Sequence, residues 1–286
     1  MHVGNASTKS KTEAMFFPTT LQEAESSITC PGDLILNNGT NKIHFSKKFR
    51  YLGATITPEI NENAEVEIRI KKASSQMGIL RHFFNGKDID LRVKYWVYLA
   101  GPLNCLLWGC ESWNLTERNK EKLRAFHHSA ICRILDITWT RVREEKITNE
   151  EIRHRFCQIP EIDTFIILRT ARYVGKIYRS DDQMLPKKLL GAWIHGPRKI
   201  GKPQLSCNNN FLTAIQACLP ELSENDDQGL FKIWGQAASD EEAWNCRIED
   251  YFVSCQSEIY DDTEQDTITQ RAVMRMQNLR FDDSNT

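Results

Sequence analysis

Downstream of Pro58 the apolar residues switch from short strand-like runs to a helical period, which restricts the chain to a mainly α fold with a small β part at its N-terminal end. Val66, Ile70, Ala73, Met77 and Leu80 alternate spacings of four and three, placing them on one helix face. Thr116 is positioned to cap a helix with Leu123, Phe126, Ala130 and Ile134 on its apolar face, and Thr148 with Glu151 has capping-box spacing. Asp163 is expected to cap a helix running from Phe165 to about Arg179, and two amphipathic segments follow, near Glu241 to Cys255 and Thr263 to Leu279. Before Pro58, Ala14 to Phe17 is a brief apolar run. Leu34–Leu36 and Ile43–Phe45 flank Asn37-Asn38-Gly39-Thr40, whose Asn-Gly suits a hairpin turn, and Phe49 to Ile56 reads as one further strand.

With 286 residues, 41% of them hydrophobic, the chain can bury a sizeable core in one or two domains. Its formal charge of −1 conceals an asymmetry. Residues 42 to 202 carry 30 Lys and Arg against 18 Asp and Glu, whereas residues 203 to 286 carry 5 against 16. A basic body with an acidic tail points to a polyanionic partner for the body. The nine cysteines are scattered with no Cys-x-x-Cys pair, which argues against a disulfide framework and a treble-cysteine zinc site. No secretory signal pattern opens the chain, so reducing, intracellular surroundings are expected, nucleus and cytoplasm being equally open. The apolar stretch from Tyr95 to Trp113 is interrupted by Gly101, Pro102, Asn104, Gly109 and Glu111; a buried, Pro-kinked helix is expected there and no membrane span.

Several local patterns bear on chemistry. Arg169, Arg172, Lys176 and Arg179 repeat at three, four and three and so share one helix face, while Ile167, Ala171, Val174 and Tyr178 share another. Such a stripe suits phosphate contact, against the plainer reading of a solvated helix face. Gly196 to Pro203 nearly spells a phosphate loop, but Pro203 replaces the magnesium-binding hydroxyl and no hydrophobic strand precedes it; a basic connector is the better reading. His127 and Cys132 form half of a zinc-knuckle spacing without the other half, and core packing is expected of both. No nucleophile elbow occurs.

Ordered motifs carry a family resemblance. Phe49-Arg50-Tyr51-Leu52-Gly53-Ala54-Thr55-Ile56 resembles the "YLG" segment closing the palm of non-LTR, LINE-type reverse transcriptases, and Lys11-Thr12-Glu13-Ala14-Met15 resembles the lysine motif before it. Glu67 to Ala73 is similar to the "eIxxRIxxA" helix opening that follows, and Leu107 to Leu115 to "LYGxExWxL". Arg133-Ile134-Leu135 with Trp139, and Arg172 to Arg179, look like "RrIlgisW" and "RxxGHvxR", with Lys176 where the family usually has histidine. The resemblance covers about two thirds of the chain and fades in the tail.

It implies a fragment holding template–primer nucleic acid (RNA, DNA or an RNA–DNA hybrid), with Tyr51, Leu52 and Gly53 as the primer grip. Lys11, Arg69, Lys71, Lys72 and the Arg169, Arg172, Lys176, Arg179 stripe are then the contact residues. The complete family enzyme holds two Mg²⁺ on a Tyr/Phe-x-Asp-Asp pair. No such pattern occurs here; Asp-Asp pairs start at 181, 226, 261 and 282, all downstream of Tyr51. No catalytic or metal-binding residue and no cofactor is therefore expected in this chain, and fingers, most of the palm and any endonuclease domain are expected to be missing from it. The expected organisation is a palm remnant over 1–57, a helical thumb-like region over 58–145, a second helical module over 146–205 and an acidic helical tail over 206–286. The rival reading is a helical protein-interaction module, or a gene fragment that does not fold alone because its strands leave edges unpaired.

Overall fold

The structure is a computed structural model that describes residues 14–16, 34–35, 42–43, 45–57, 62–190, 207–220 and 234–257. It is mainly α, with strands confined to the N-terminal end. It divides between Ile68 and Arg69 into two compact units.

In the first unit, β1 (Leu34–Ile35) pairs antiparallel with β2 (Lys42–Ile43), Leu34 opposite Ile43, as the hairpin reading requires; the Asn-Gly turn itself lies outside the described residues. Phe49 to Ile56, expected as one strand, is instead a second hairpin. β3 (Phe49–Tyr51) folds back on β4 (Ala54–Ile56), with Tyr51 opposite Ala54. Leu52 at φ 46° and Gly53 at φ 88° supply the two positive angles that a two-residue hairpin turn of right-handed twist demands. The Thr55 amide donates to Glu65 Oε2 at 2.7 Å, tying β4 to the start of α1 (Asn63–Ile79).

Helix α1 has the periodicity read from sequence: Val66, Ala73 and Met77 are buried. After α2 (Arg81–Asn85), Asp90 caps α3 (Leu91–Tyr98) by accepting from the Arg92 amide at 2.7 Å. Pro102 offers no N–H, and its ring would meet the carbonyl four residues back. The chain widens into a π turn over Leu99–Leu103 before resuming as α4 (Asn104–Leu106), which is the expected kink. Gly109, at φ 77°, then reverses the chain into a 3₁₀ turn at Cys110–Ser112.

Thr116 caps α5 (Glu117–Ile134), accepting from the Asn119 amide, and Thr148 caps α7 (Asn149–Arg155), accepting from the Glu151 amide; both follow the sequence. Between them α6 (Trp139–Glu145), capped by Thr138, has no apolar period and was not expected. Helix α8 (Ile162–Arg179) begins three residues before the expected Phe165, and Asp163 does not cap it. That carboxylate sits inside the first turn, where Arg124 takes both oxygens at 2.7 and 2.8 Å.

Helix α8 organises the second unit. Ten of its residues are buried, among them Phe165, Leu168, Ala171, Val174 and Ile177, because α5, the Cys110 turn, α9 (Leu185–Leu190), α10 (Cys207–Cys218) and α12 (Glu241–Ser257) all pack on it. A short helix, α11 (234–239), precedes α12. The tail after residue 206 thus shares a core with the basic body: Asn210 Nδ2 donates to the Trp113 carbonyl, and the Trp244 indole donates to the Ala171 carbonyl at 3.0 Å.

Candidate nucleic-acid interface

Arg169 ties helix α8 to the Asn104–Leu107 segment. Its Nη1 donates to the Leu107 carbonyl at 3.1 Å and its Nη2 to Asn104 Oδ1 at 2.8 Å, and the residue is 7% exposed. Beside it Glu111 Oε1 is buried with no hydrogen-bond partner among the described residues. Burial pushes that carboxyl above its ordinary range, opposed by its own backbone amide and by Arg169. A planar, five-donor guanidinium suits this place, where two acceptors, one in the short helix α4 and one at its C-cap, must be satisfied together.

The remaining members of the stripe are also largely committed. Arg172 is partly buried, and desolvation lowers its guanidinium to about 10, with Arg169 pushing the same way and Glu249 opposing; it stays charged at neutral pH. Arg179 donates to the Ala238 carbonyl at 3.1 Å and pairs with Glu241 at 3.3 Å. Lys176 is exposed. The four cations do share a face, but the sequence-based picture of a solvent-facing stripe is corrected. Arg169 points into the core and Arg179 meets the tail at the Ala238 carbonyl, because their partners come from chain some 60 residues away, and Arg172 is partly buried under the influence of Glu249 and Cys218 of the tail.

In the first unit the Tyr51–Gly53 triplet forms a hairpin tip rather than a core strand. Tyr51 is 57% exposed and Leu52 81% exposed, and the Phe49 and Tyr51 rings stack with centroids 6.5 Å apart on one face of the hairpin. Of the cations downstream, Arg69 is buried, Lys71 exposed and Lys72 half-buried. Lys11 lies outside the described residues.

His127 is a core residue with a fixed tautomer. Its Nε2 lies 3.1 Å from the Pro160 carbonyl, which can only accept, so Nε2 carries the proton and Nδ1 accepts from the Tyr98 hydroxyl at 2.8 Å. Burial lowers its pKa to about 4. Cys132 Sγ lies 3.6 Å from His128 Nε2 and not beside His127, so the half-knuckle spacing assembles no site. Among the described residues no group of three or more His, Cys, Asp or Glu could hold a metal ion. Asp181 accepts from the Gln183 amide and Asp182 pairs with Lys187, as a turn cap and a surface acid do. The other three Asp-Asp pairs and the Gly196–Pro203 connector lie outside the described residues. No helix among the described residues is long and apolar enough to cross a membrane.

The tryptophan of the Arg133–Trp139 motif stands at the surface, which its sequence context did not indicate. Trp139 is 59% exposed, with its ring tilted against that of His128 at 5.7 Å.

No family model matches the chain, and no solved structure matches it. It is similar to an uncharacterised transposon-derived protein of Caenorhabditis elegans, 22% identical over 215 residues that span 72% of this chain and 72% of that protein. The likeness loosely suggests a transposon origin.

Proposed function

We propose that this chain is the thumb-side part of a LINE-type retrotransposon reverse transcriptase, a nucleic-acid-holding piece without polymerase chemistry of its own. The observation that carries the reading is the Tyr51–Leu52 tip. Two large apolar side chains stand in solvent on a turn whose leucine adopts φ 46°, a backbone state that costs a non-glycine residue about 1 kcal/mol. A strained, exposed apolar tip fits a contact surface better than a structural strand. In the resembled family this triplet is the primer grip. The ordered motifs around it and the likeness to a transposon-derived protein support the same reading.

The magnesium chemistry of the complete family enzyme does not fit the residues present. The described residues hold no carboxylate cluster able to take the ions, and the sequence has no Tyr/Phe-x-Asp-Asp.

The test is a fluorescence-anisotropy titration of the purified chain with an RNA–DNA hybrid across a salt series. The reading expects affinity that falls steeply with salt, because each neutralised phosphate releases counterions. Loss of affinity is also expected in Tyr51→Ala with Leu52→Ala. No binding at low salt by a folded sample overturns it, and primer extension with RNA template, magnesium and nucleotides overturns the inactivity.

The burial of Arg169 and the internal engagement of Arg172 and Arg179 favour a second reading, a helical protein-interaction module. Changing the whole stripe to glutamine cannot separate the two, since it would damage the core. Lys71→Gln and Lys176→Gln can, because both residues are exposed.

A further inference from the structure

Helix α6 is held in place by residues outside it. Its seven residues include none that is buried, and so short a helix is not stable by itself. Ile137 and Ile147, on either side, are both buried and act as its feet. The Ile137 amide bonds the Cys132 carbonyl at 2.9 Å, and the Ile147 amide bonds the Val142 carbonyl at 3.1 Å. Thr138 caps one end, and Lys146, at φ 53°, closes the other in the left-handed region. The result is an arch that buries its feet and presents its span.

The span has two faces. On one, Arg141 and Glu145 form an i,i+4 ion pair at 2.7 Å. On the other, Trp139 and Arg143 are also four apart and therefore neighbours, about 6 Å between their Cβ atoms by helix geometry. The Trp139 ring is more than half exposed, with His128 behind it. Arg143, Lys146 and Arg133 at the end of α5 are exposed, and among the described residues none of the three makes an ion pair. A large aromatic ring more than half in water, with the unpaired Arg143 and Lys146 four and seven residues along the same helix face, fits a ligand with flat apolar faces joined by a repeating negative charge.

We propose that the α6 arch is a docking platform for single-stranded nucleic acid, with an unpaired base stacked on Trp139 and the adjoining phosphates on Arg143, Arg133 and Lys146. Stacking needs an unpaired base and is tolerant of sequence, so the platform holds a strand without reading it. The inference rests on the nucleic-acid-binding reading above and gives that binding a second place, in the helical unit.

The test titrates a fluorescein-labelled short oligo-dT into the full chain and its variants at low salt, with polyglutamate as a competitor. Trp139→Ala is expected to weaken binding about tenfold or more, in the range of a lost base–aromatic stack. Trp139→Phe keeps most of the affinity, and an unchanged thermal melt shows that the exposed ring was not holding the fold. As a second variant, Arg133→Gln with Arg143→Gln is expected to flatten the log–log salt dependence by about 0.7 per charge removed. If the wild-type chain binds the RNA–DNA hybrid while Trp139→Ala binds oligo-dT as tightly as wild type does, the platform is wrong and the broader reading stands. If no nucleic acid binds, both fall. If polyglutamate displaces the oligonucleotide as well as unlabelled oligo-dT does, the surface recognises charge alone and the proposal is overturned.

Discussion

The indole of Trp244 lies directly over Gly175: a Cβ on that glycine would sit 2.5 Å from Cδ1 and closer still to Nε1. The indole cannot easily retreat, because its N–H is bonded to the Ala171 carbonyl one turn earlier on α8. The glycine of the Arg172–Arg179 motif therefore serves as the seat for a tail-helix tryptophan. Gly175→Ala forces either the ring or α8 to move, and is expected to cost roughly 3 kcal/mol, the upper part of the range for overpacking a rigid core. Urea unfolding with near-ultraviolet circular dichroism measures this; a variant as stable as wild type would mean that the tail does not dock here.

Arg169 is the second lock. Arg169→Met leaves the Leu107 carbonyl and Asn104 amide oxygen without their donors and removes the positive charge nearest the buried Glu111 carboxyl. The expected destabilisation is about 3 to 5 kcal/mol, as for breaking a buried charged network on one side. Arg169→Lys is expected to restore little, since one ammonium cannot reach both acceptors in the same plane. A double-mutant cycle with Asn104→Ala should show strong coupling, and additivity would count against the bond.

Part of this was legible in the sequence. Val66, Ala73 and Met77 showed the face of α1 through their spacing, and Thr116 and Thr148 marked helix starts because a cap is a local device. Pro102 announced its kink for the same reason. The fate of the arginine stripe was not legible, because nothing near Arg169 in sequence indicates that its acceptors lie 62 and 65 residues upstream. Helix α6 was missed because it buries nothing and so leaves no apolar period to read. The hairpin at Tyr51 is not legible in the sequence because Leu52 carries none of the usual signature for a positive φ.

His127 gives the fold a pH dependence with a definite sign. Its folded pKa, about 4, lies below the ordinary imidazole value near 6.5, so the unfolded chain binds more protons between the two. The stabilising contribution is whole above the unfolded value and is lost as pH falls from about 6.5 towards 4, reaching at most about 3 kcal/mol. Protonation would also place a donor on Nδ1, against a Tyr98 hydroxyl that has no other hydrogen-bond partner among the described residues. Urea midpoints measured from pH 7 to pH 4 should fall more steeply for wild type than for His127→Gln. Parallel profiles would show that this imidazole does not titrate with unfolding.

The cations of the helical unit should separate by what they hold. Arg179→Gln gives up the bond to the Ala238 carbonyl and the pair with Glu241, a partly exposed contact expected to lower stability by about 1 kcal/mol with no change in nucleic-acid affinity once the chain is folded. Lys71→Gln with Lys176→Gln removes surface charge, leaves the melt within about 0.5 kcal/mol, and is expected to reduce the salt dependence of hybrid binding. Measuring melt and titration on the same samples distinguishes the two classes. Should Arg179→Gln lose affinity at unchanged stability, the guanidinium would be leaving Glu241 for phosphate, and α8 would belong to the binding surface after all.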